Sequence, residues 1–384
     1  MWLLLTWLAC AGGDDDDSGG STADGGTADG GGTDGGTADG GTADGGGGDG
    51  GGGTGDGGTT DGGGGDGGTD TIGDCGLALF TSSDGVITDL TAAFTEGEET
   101  TLAQDGRLEV CTGTWFVILR VEAQVEVVGL GSGPERTVLS GGDWGTVIEV
   151  DGQTARVTVE NVTLDRGSAR GHRNDRAGAG LRCMEGASAA LSQVIVSNGQ
   201  AYDGGGVYGE QGCVIEVDGA VFRDNTTTDD GGAFRVDDST AVIVDSRFEG
   251  NQARDGGALF AWNSEVTLDG VDFQDNTSTD TQGGAVLHYF GSLDITGGAF
   301  VGNDASQAGG ALSLFGDTTL AGVAFEGNQS DSGGAIFLYT SEATLSCAAC
   351  TFSDNAPDDV GLDVGGSYTW AGAASFSCDA TGCE

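Results

Sequence analysis

Two short marks recur between residues 204 and 355, and their common period constrains the fold more than any other feature of this sequence. The first mark is Phe followed three residues later by Asn, at spacings of 25 to 27 residues. The second is Gly-Gly-Ala or Gly-Gly-Gly, which stands between successive Phe residues. Two marks with one period indicate stacked copies of one structural unit. The Phe and Asn pairs are Phe222/Asn225, Phe248/Asn251, Phe273/Asn276, Phe300/Asn303, Phe325/Asn328 and Phe352/Asn355.

The apolar residues before each Phe keep a fixed phase. In one unit they are Val266, Leu268 and Val271, followed by the Phe itself, so that the steps are two, three and two residues. Steps of two indicate a strand and the step of three indicates a corner, whereas a helix needs steps of three and four. A unit of about 26 residues with three short strands cannot enclose a core by itself. We therefore expect the units to stack about 4.8 Å apart.

The sequence thus predicts an all-β fold, a right-handed parallel β-helix (β-solenoid) of about ten coils. The Phe side chains would stack inside it, and the Asn amides would bond to their neighbours above and below at a turn. The glycines would supply unusual backbone angles at another corner. The glycine marks begin at Gly204, Gly231, Gly256, Gly283, Gly309 and Gly333.

The repeat divides the chain into five segments. Residues 1–10 form an apolar leader, and residues 11–74 are an acidic tail made almost entirely of Gly, Asp, Thr, Ala and Ser. Such a tail buries too little apolar surface to offset its ordering entropy, so we expect it to be disordered. The folded segments are an N-terminal cap with irregular first coils at 75–156, regular repeats at 157–355 and a C-terminal cap at 356–384.

The leader, Met1-Trp-Leu-Leu-Leu-Thr-Trp-Leu-Ala-Cys10, is similar to a bacterial lipoprotein signal, in which the Cys is lipidated. The alternative is an ordinary signal peptide, and both interpretations export the protein. We therefore expect it at the outer membrane, on the cell surface or outside the cell. The lipid would be its only membrane contact, since no later segment has the roughly 20 apolar residues of a membrane span.

The chain is strongly acidic, with a formal charge of −48, 13 Arg and no Lys among its 384 residues. Nucleic acid and anionic lipid would repel such a chain, so neither is an expected partner. Its field favours divalent cations, cationic surfaces and neutral glycans. We expect a monomer whose partner is a glycan or the surface of a host or neighbouring cell.

The Phe-x-x-Asn and Gly-Gly-Ala marks resemble the repeats of the polymorphic outer membrane proteins, a family of bacterial surface adhesins. The segment Gly106-Arg-Leu-Glu-Val-Cys-Thr-Gly-Thr-Trp115 is similar to the first coils of pectin-lyase-like β-helices. Together the two resemblances cover about residues 100–355. They imply a β-helix, and they favour adhesion, glycan binding or a structural role in the cell envelope.

Eight cysteines remain besides Cys10, and export together with an even number favours disulfides of open connectivity. The spacing of Cys347 and Cys350 is also typical of zinc or redox sites. Both occupy inward positions of the repeat and no His lies nearby, which favours a disulfide or buried thiols instead. The eight are Cys75, Cys111, Cys183, Cys213, Cys347, Cys350, Cys378 and Cys383.

The basic residues concentrate between residues 166 and 182, where the repeat is interrupted. The interval from Leu164 to Val196 is 32 residues, so we expect a protruding loop. Arginine clusters bind anionic glycans and carboxylates, and the alternative is pairing with acids of the same chain. The candidate ligand-binding residues are Arg166, Arg170, His172, Arg173, Arg176 and Arg182.

Three acids, Asp203, Asp230 and Asp255, stand just before glycine marks in successive units. Stacked carboxylates repel one another, and calcium, which prefers oxygen ligands, would relieve the repulsion. The alternative is a row of solvated carboxylates near Arg254. Calcium is the one cofactor that the sequence suggests, with these three acids as its metal ligands.

The alternative function is that of a polysaccharide lyase or glycoside hydrolase with the pectin-lyase-like fold. Asp229-Asp230 is similar to the paired Asp of polygalacturonase-type hydrolases. The Lys-bearing motifs of the related lyases and hydrolases cannot be present, because the chain has no Lys. We therefore assign no catalytic residue, and we expect a binding or structural role in preference to a catalytic one.

The leader yields a direct prediction. Cys10→Ser should release the protein from the membrane fraction and leave its melting temperature unchanged, because lipidation and the solenoid are physically independent. Fractionation followed by immunoblotting measures the release. A variant that still sediments with membranes would show that Cys10 is not the anchor.

Overall fold

The computed structural model describes residues 76–169, 177–339, 343–363 and 367–371. Cys10, the tail, Cys75, the loop residues Arg170, His172, Arg173 and Arg176, and Cys378 and Cys383 all lie outside these ranges. The elements are β1 (Ala78–Ser82), β2 (Ile87–Asp89), α1 (Thr91–Glu96), β3 (Glu99–Leu102), β4 (Gly106–Val110), β5 (Gly113–Phe116), β6 (Ile118–Val121), β7 (Gln124–Gly129), a short 3₁₀ helix (Pro134–Arg136), β8 (Thr137–Ser140), β9 (Ile148–Asp151), β10 (Arg156–Glu160), β11 (Thr163–Asp165), β12 (Ser168–Ala169), β13 (Leu181–Met184), β14 (Ser188–Ser192), β15 (Ile195–Ser197), β16 (Gln200–Ala201), β17 (Val207–Glu210), β18 (Val214–Asp218), β19 (Val221–Arg223), β20 (Thr226–Thr227), β21 (Phe234–Asp237), β22 (Thr240–Val244), β23 (Arg247–Glu249), β24 (Gln252–Ala253), β25 (Leu259–Asp269), β26 (Asp272–Gln274), β27 (Thr277–Ser278), β28 (Val286–Thr296), β29 (Ala299–Val301), β30 (Asp304–Ala305), β31 (Leu312–Leu314), β32 (Asp317–Ala321), β33 (Ala324–Glu326), β34 (Ile336–Leu338), β35 (Thr344–Ala348), β36 (Thr351–Ser353), β37 (Val360–Leu362) and β38 (Ser367–Ala371).

These strands form a parallel β-solenoid, as the repeat predicts. One sheet has ten strands, from β5 to β36, and another has six two-residue strands, from β12 to β30. The largest sheet has 22 strands, which are arranged in two columns. The strands β25 and β28 connect the two columns, because each continues through the corner as a single 11-residue strand. At the N-terminal end, β1 pairs antiparallel with β2 and β4. The first column is β3, β6, β9, β13, β17, β21, β25, β28, β31, β34 and β37.

A regular coil contains four strands, one more than the sequence predicts. The coil of β17 continues through β18 and β19 and then forms β20, a strand of the six-stranded sheet. The extra strand has only two residues, of which one faces inward. Ala201, for example, is buried while Gln200 is exposed. Two residues leave no alternation, and this explains why the pattern did not reveal the strand.

The Phe side chains stack inside the ten-stranded sheet. From Phe222 to Phe352 each ring lies parallel to the next, with centroids 4.5 to 5.1 Å apart. The rings from Phe222 to Phe325 are fully buried, whereas Phe352 is only partly buried. This stack forms part of a core that is continuous along the described coils.

The Asn side chains form a second ladder, which carries the chain around a buried turn. The Nδ2 of Asn276 donates to the Oδ1 of Asn303 (3.0 Å) and to the backbone oxygen of Phe248 (3.0 Å). The Oδ1 of Asn303 also accepts from the backbone nitrogen of Asn276 (3.1 Å). The members of this ladder are Asn225, Asn251, Asn276, Asn303, Asn328 and Asn355.

The bonds to backbone oxygens are a difference from the sequence interpretation, which joined each amide only to the Asn above and below. Asn251 also donates to the backbone oxygen of Phe222 (3.0 Å), and Asn328 donates to that of Phe300 (2.9 Å). Both amides are buried, so a second donor hydrogen without a partner would be costly. The repeat could not reveal these bonds, because a backbone oxygen is present at every position of the chain.

The glycine marks allow successive coils to approach at another corner. Gly256 has a φ of 59°, in the left-handed region that favours glycine. At Gly257 a Cβ atom would lie 2.2 Å from the backbone oxygen of Gly284 in the next coil. No other residue fits at the second glycine without moving two coils apart.

Other contacts, a buried helix residue and two disulfides, stabilise the ends and the irregular coils. Phe94 of α1 is fully buried in the core. Disulfides join Cys183 to Cys213, between adjacent coils, and Cys347 to Cys350. Among the described residues, no helix has the length and apolarity that a membrane crossing requires.

The Phe stack predicts unequal mutational costs along the coils. Phe273→Ala removes a fully buried ring with a stacked ring on each side, and should destabilise the protein by about 3–5 kcal/mol. Phe352→Ala removes a partly buried ring and should cost less. Urea denaturation measures both losses, and equal values at the two sites would contradict a stack in which each ring supports its neighbours.

His288 is the one histidine among the described residues and lies fully buried in β28. Neither of its ring nitrogens reaches a described partner with hydrogen-bond geometry. Burial lowers its pKa from 6.5 to about 4, while the backbone of Phe290 and the charge of Asp317 raise it by less. Between about pH 4 and pH 6.5, the imidazole of His288 is therefore neutral in the folded protein, whereas it would be protonated in the unfolded chain.

This burial predicts an acid-sensitive contribution to stability. The unfolded chain binds the proton first as the pH falls, so stability should decrease between about pH 6.5 and pH 4, by about 3 kcal/mol in total. His288→Leu should lack this decrease, and the difference between the two proteins isolates it from the other titrating groups. Identical pH profiles of the free energy of unfolding would rule out the proposed origin.

Candidate functional site

The outer face of the first column carries a cluster of charged residues beside a row of aromatic rings. Side chains alternate between core and surface along these strands, so that Phe234 and Val236 are buried in the core and Arg235 faces outward. We call two groups the acid–arginine cluster and the aromatic file. The acid–arginine cluster is Asp203, Asp229, Asp230, Asp237, Asp255, Arg235 and Arg254; the aromatic file is Trp262, Tyr289, Phe315 and Tyr339.

Arg235 is at the centre of the acid–arginine cluster. Its guanidinium pairs with Asp203, with Asp230 (3.0 Å) and with Asp237 (3.0 Å). It also lies over the ring of Phe260, 4.8 Å from the centroid. Its side chain is only 16% exposed, so these contacts replace most of its water. Burial opposes its charge, but the surrounding carboxylates raise its pKa overall.

Arg254 is the second and more exposed arginine of the cluster, and it shares Asp230 with Arg235. It pairs with Asp229, with Asp230 (3.2 Å) and with Asp255 (3.1 Å). Asp230 thus accepts hydrogen bonds from two guanidinium groups, one on each carboxylate oxygen. The two arginines fix its orientation, because both of its oxygens have charged donors.

Three carboxyl groups of this cluster, those of Asp203, Asp230 and Asp255, have raised pKa values. Burial raises the pKa of Asp230 to about 7, and the charge of Asp229 adds to the rise, while Arg235 and Arg254 oppose it. Burial also raises the pKa of Asp203 and of Asp255. The pKa of Asp230 thus lies near neutral pH, which favours the exchange of a proton with a bound molecule.

The three acids that the sequence singles out lie in one row on three successive coils. The backbone of Asp230 bridges that of Asp255, and its nitrogen donates to the Oδ1 of Asp203 (3.3 Å). They are mostly buried and paired with arginine, not solvated. Carboxylate oxygens of Asp203, Asp229 and Asp230 lie within 4.8 Å of one another, which suits a cation. A calcium ion would have to compete with the two guanidinium groups, and calcium binding stays a prediction.

The aromatic file continues this surface over four coils. Tyr289 stacks on Phe315 with centroids 4.0 Å apart, and Phe315 stacks on Tyr339 at 4.3 Å. Trp262 is tilted against Tyr289 at 5.3 Å. Because the middle rings cover one another's faces, they present mainly their edges to solvent.

An open corner of two rings lies at one end of the file. Trp262 is 42% exposed and Phe290 is 51% exposed, and their planes are perpendicular at a centroid distance of 5.7 Å. Phe260 connects this corner to the charged residues, since its ring contacts both Arg235 and Tyr289. A ligand at the corner would therefore have aromatic surfaces and carboxylates within reach.

The basic stretch predicted as a ligand site is paired with acids wherever the structure describes it. Arg166 pairs with Asp143, and Arg182 pairs with Glu210 (2.8 Å). These pairs agree with the alternative of pairing within the chain. The four other residues predicted there lie outside the described ranges.

The sequence interpretation missed Arg235 and the aromatic file as parts of a site. A signal for the file exists: an aromatic residue stands four positions after the Ala of the glycine mark in four successive units. No comparable signal marks Arg235, because one of its partners, Asp203, comes from another coil, 32 residues away.

Comparisons with known proteins find only distant structural similarity. No protein-family model matches the chain, and no curated protein does either. Two solved structures are similar: the Agl-KA catalytic domain, and the catalytic unit of a thermostable GH87 alpha-1,3-glucanase from Streptomyces thermodiastaticus. Each shares 13% identity with a TM-score of 0.31, over 73% and 74% of this chain and 64% of each of those chains. At that similarity neither carries an argument about function.

Proposed function

We propose that the outer face of the first column binds a glycan. The observation that carries this proposal is the open corner of Trp262 and Phe290, where Trp262 pairs in register with Asp237 of the neighbouring strand. A sugar ring has apolar C–H faces and a rim of hydroxyls, so it suits a site that offers aromatic surface together with hydrogen-bond acceptors. Exposed aromatic groups of this kind are typical of interaction sites.

The charge of the site restricts the glycan. The acid–arginine cluster contains five Asp and two Arg, an excess of three acids over arginines. Acidic glycans would be repelled, as they would be by the chain as a whole, so the ligand is a neutral glycan or an amino sugar. The aromatic file extends the site along the solenoid, which suits a chain of several sugar units.

The cellular setting of this proposal comes from the sequence. With Cys10 lipidated, the protein would stand on the outer membrane at the end of an acidic tail. Its partner would be a glycan of the cell envelope or of a host or neighbouring cell. The role would be adhesion or organisation of the envelope.

A second function, glycoside hydrolysis, is favoured by one observation. Asp230 has a pKa raised to about 7, as a general acid requires, and Asp229 lies beside it. Against this, both oxygens of Asp230 already accept from arginine.

A glycan array probed with the purified protein tests the binding proposal. We expect binding to neutral or amino glycans and a loss of at least tenfold in affinity for Trp262→Ala, since one face of the open corner disappears. Trp144→Ala is the matched control, because Trp144 is an exposed Trp outside the aromatic file, and it should leave affinity unchanged. Equal affinity of the Trp262→Ala protein and the parent would refute the site.

Release of reducing ends from the bound glycan separates the two functions. A binding protein leaves the glycan intact. A hydrolase would release sugars with an activity that Asp230→Asn removes, while binding persists. Release that survives Asp230→Asn would come from a contaminant or from another site.

A further inference from the structure

A second cleft lies near the N-terminal end of the solenoid, away from the aromatic file. It is formed between the end of α1 and the corners that follow β5 and β8, and its volume is about 420 Å³. That volume lies within the usual range of small-molecule sites, roughly 300–1,000 Å³. Residues that line it include Glu96, Phe116, Ile118, Ser140, Gly142 and Trp144.

Two aromatic rings stand at this cleft with much of their surface in solvent. Trp144 is 88% exposed and Phe116 is 48% exposed, although both are large apolar side chains. Gly142 lies between them: a Cβ atom there would be 3.2 Å from the ring of Phe116 and 3.5 Å from that of Trp144. The missing side chain at position 142 therefore leaves a gap flanked by two rings.

The charges at the cleft favour a cation. Glu96 supplies a carboxylate, and no Arg lines the cleft among the described residues. Arg166 of the next coil lies near the cleft, where its backbone oxygen accepts from the nitrogen of Asp143, and its side chain pairs with Asp143. The formal charge of −48 adds a general attraction for positive ligands.

We propose that this cleft binds a small organic cation, a quaternary or alkylated ammonium group, between Phe116 and Trp144. Aromatic faces attract such cations through the ring quadrupole, and a nearby carboxylate adds charge complementarity. The ammonium group lies in the cleft against the two rings, on the side that Gly142 leaves uncovered, with Glu96 as its counter-ion. A neutral ligand would gain the apolar contact without the electrostatic attraction.

Calorimetric titration of the full-length protein with choline tests this proposal, and 3,3-dimethylbutan-1-ol is the matched neutral probe of the same shape. We expect choline to bind at least tenfold more tightly than the alcohol. Trp144→Ala should abolish choline binding. Glu96→Gln should weaken choline binding while the alcohol is unaffected. Equal affinities for the two probes, or no binding of choline, would overturn the proposal.

Two further variants keep the result independent of folding and of the glycan site. Gly142→Asn accepts the positive φ of 58° and fills the gap, so it should block choline while the melting temperature stays near that of the parent. Trp262→Ala should leave choline binding intact. If Gly142→Asn binds choline as the parent does, the gap is not the site. Vesicles of phosphatidylcholine, tested with the Cys10→Ser protein so that no lipid anchor inserts, then separate the two sources of the group: capture of vesicles indicates a lipid headgroup, and binding of free choline alone indicates a soluble ligand.

Discussion

The close approach of backbone between successive coils is the constraint on which the rest of the structure depends. Parallel strands bond to the coil before and the coil after along three sheets, and the corners bond as well. At the glycine corner this approach leaves no room for a side chain, as Gly257 against Gly284 illustrates. Once the coils are this close, every position of the repeat meets its own copies above and below. Like side chains must therefore be compatible with stacking upon themselves.

Phe and Asn meet this requirement in different ways. Planar rings such as Phe273 and Phe300 stack at 4.7 Å and fill the interior without polar atoms. An Asn amide both donates and accepts, so it bonds to an identical neighbour on either side. Charged side chains cannot stack on their own kind in this way. Asp203, Asp230 and Asp255 occupy successive positions, and the structure offsets their repulsion with Arg235 and Arg254 placed between them.

Much of the fold could be predicted from the sequence because its determinants repeat. The period, the Phe stack and the Asn ladder each depend on one residue type at one position of the unit. The acid–arginine cluster depends on pairs that the repeat does not reveal: Arg235 binds Asp203 across 32 residues, and Arg254 binds Asp230 across 24. The aromatic file could have been predicted from the sequence, since its rings occupy a fixed position after the glycine mark. The cleft at Trp144 lies in the irregular first coils, where no period locates it.

The same architecture separates the two proposed sites. A solenoid has mainly nearest-neighbour coupling, so a change in one coil alters the stability of distant coils little. The aromatic file lies on the coils of β25, β28, β31 and β34, and the cleft lies at α1, β5 and β8. The arginines near both sites are paired with acids: Arg166 near the cleft, and Arg235 and Arg254 beside the aromatic file. The surfaces that remain for ligands are therefore aromatic and carboxylate in character at both ends. Carboxylates at both sites would repel anionic ligands. The arrangement of the rings then distinguishes the two proposed ligands, a sugar at the open corner and a compact cation at the cleft.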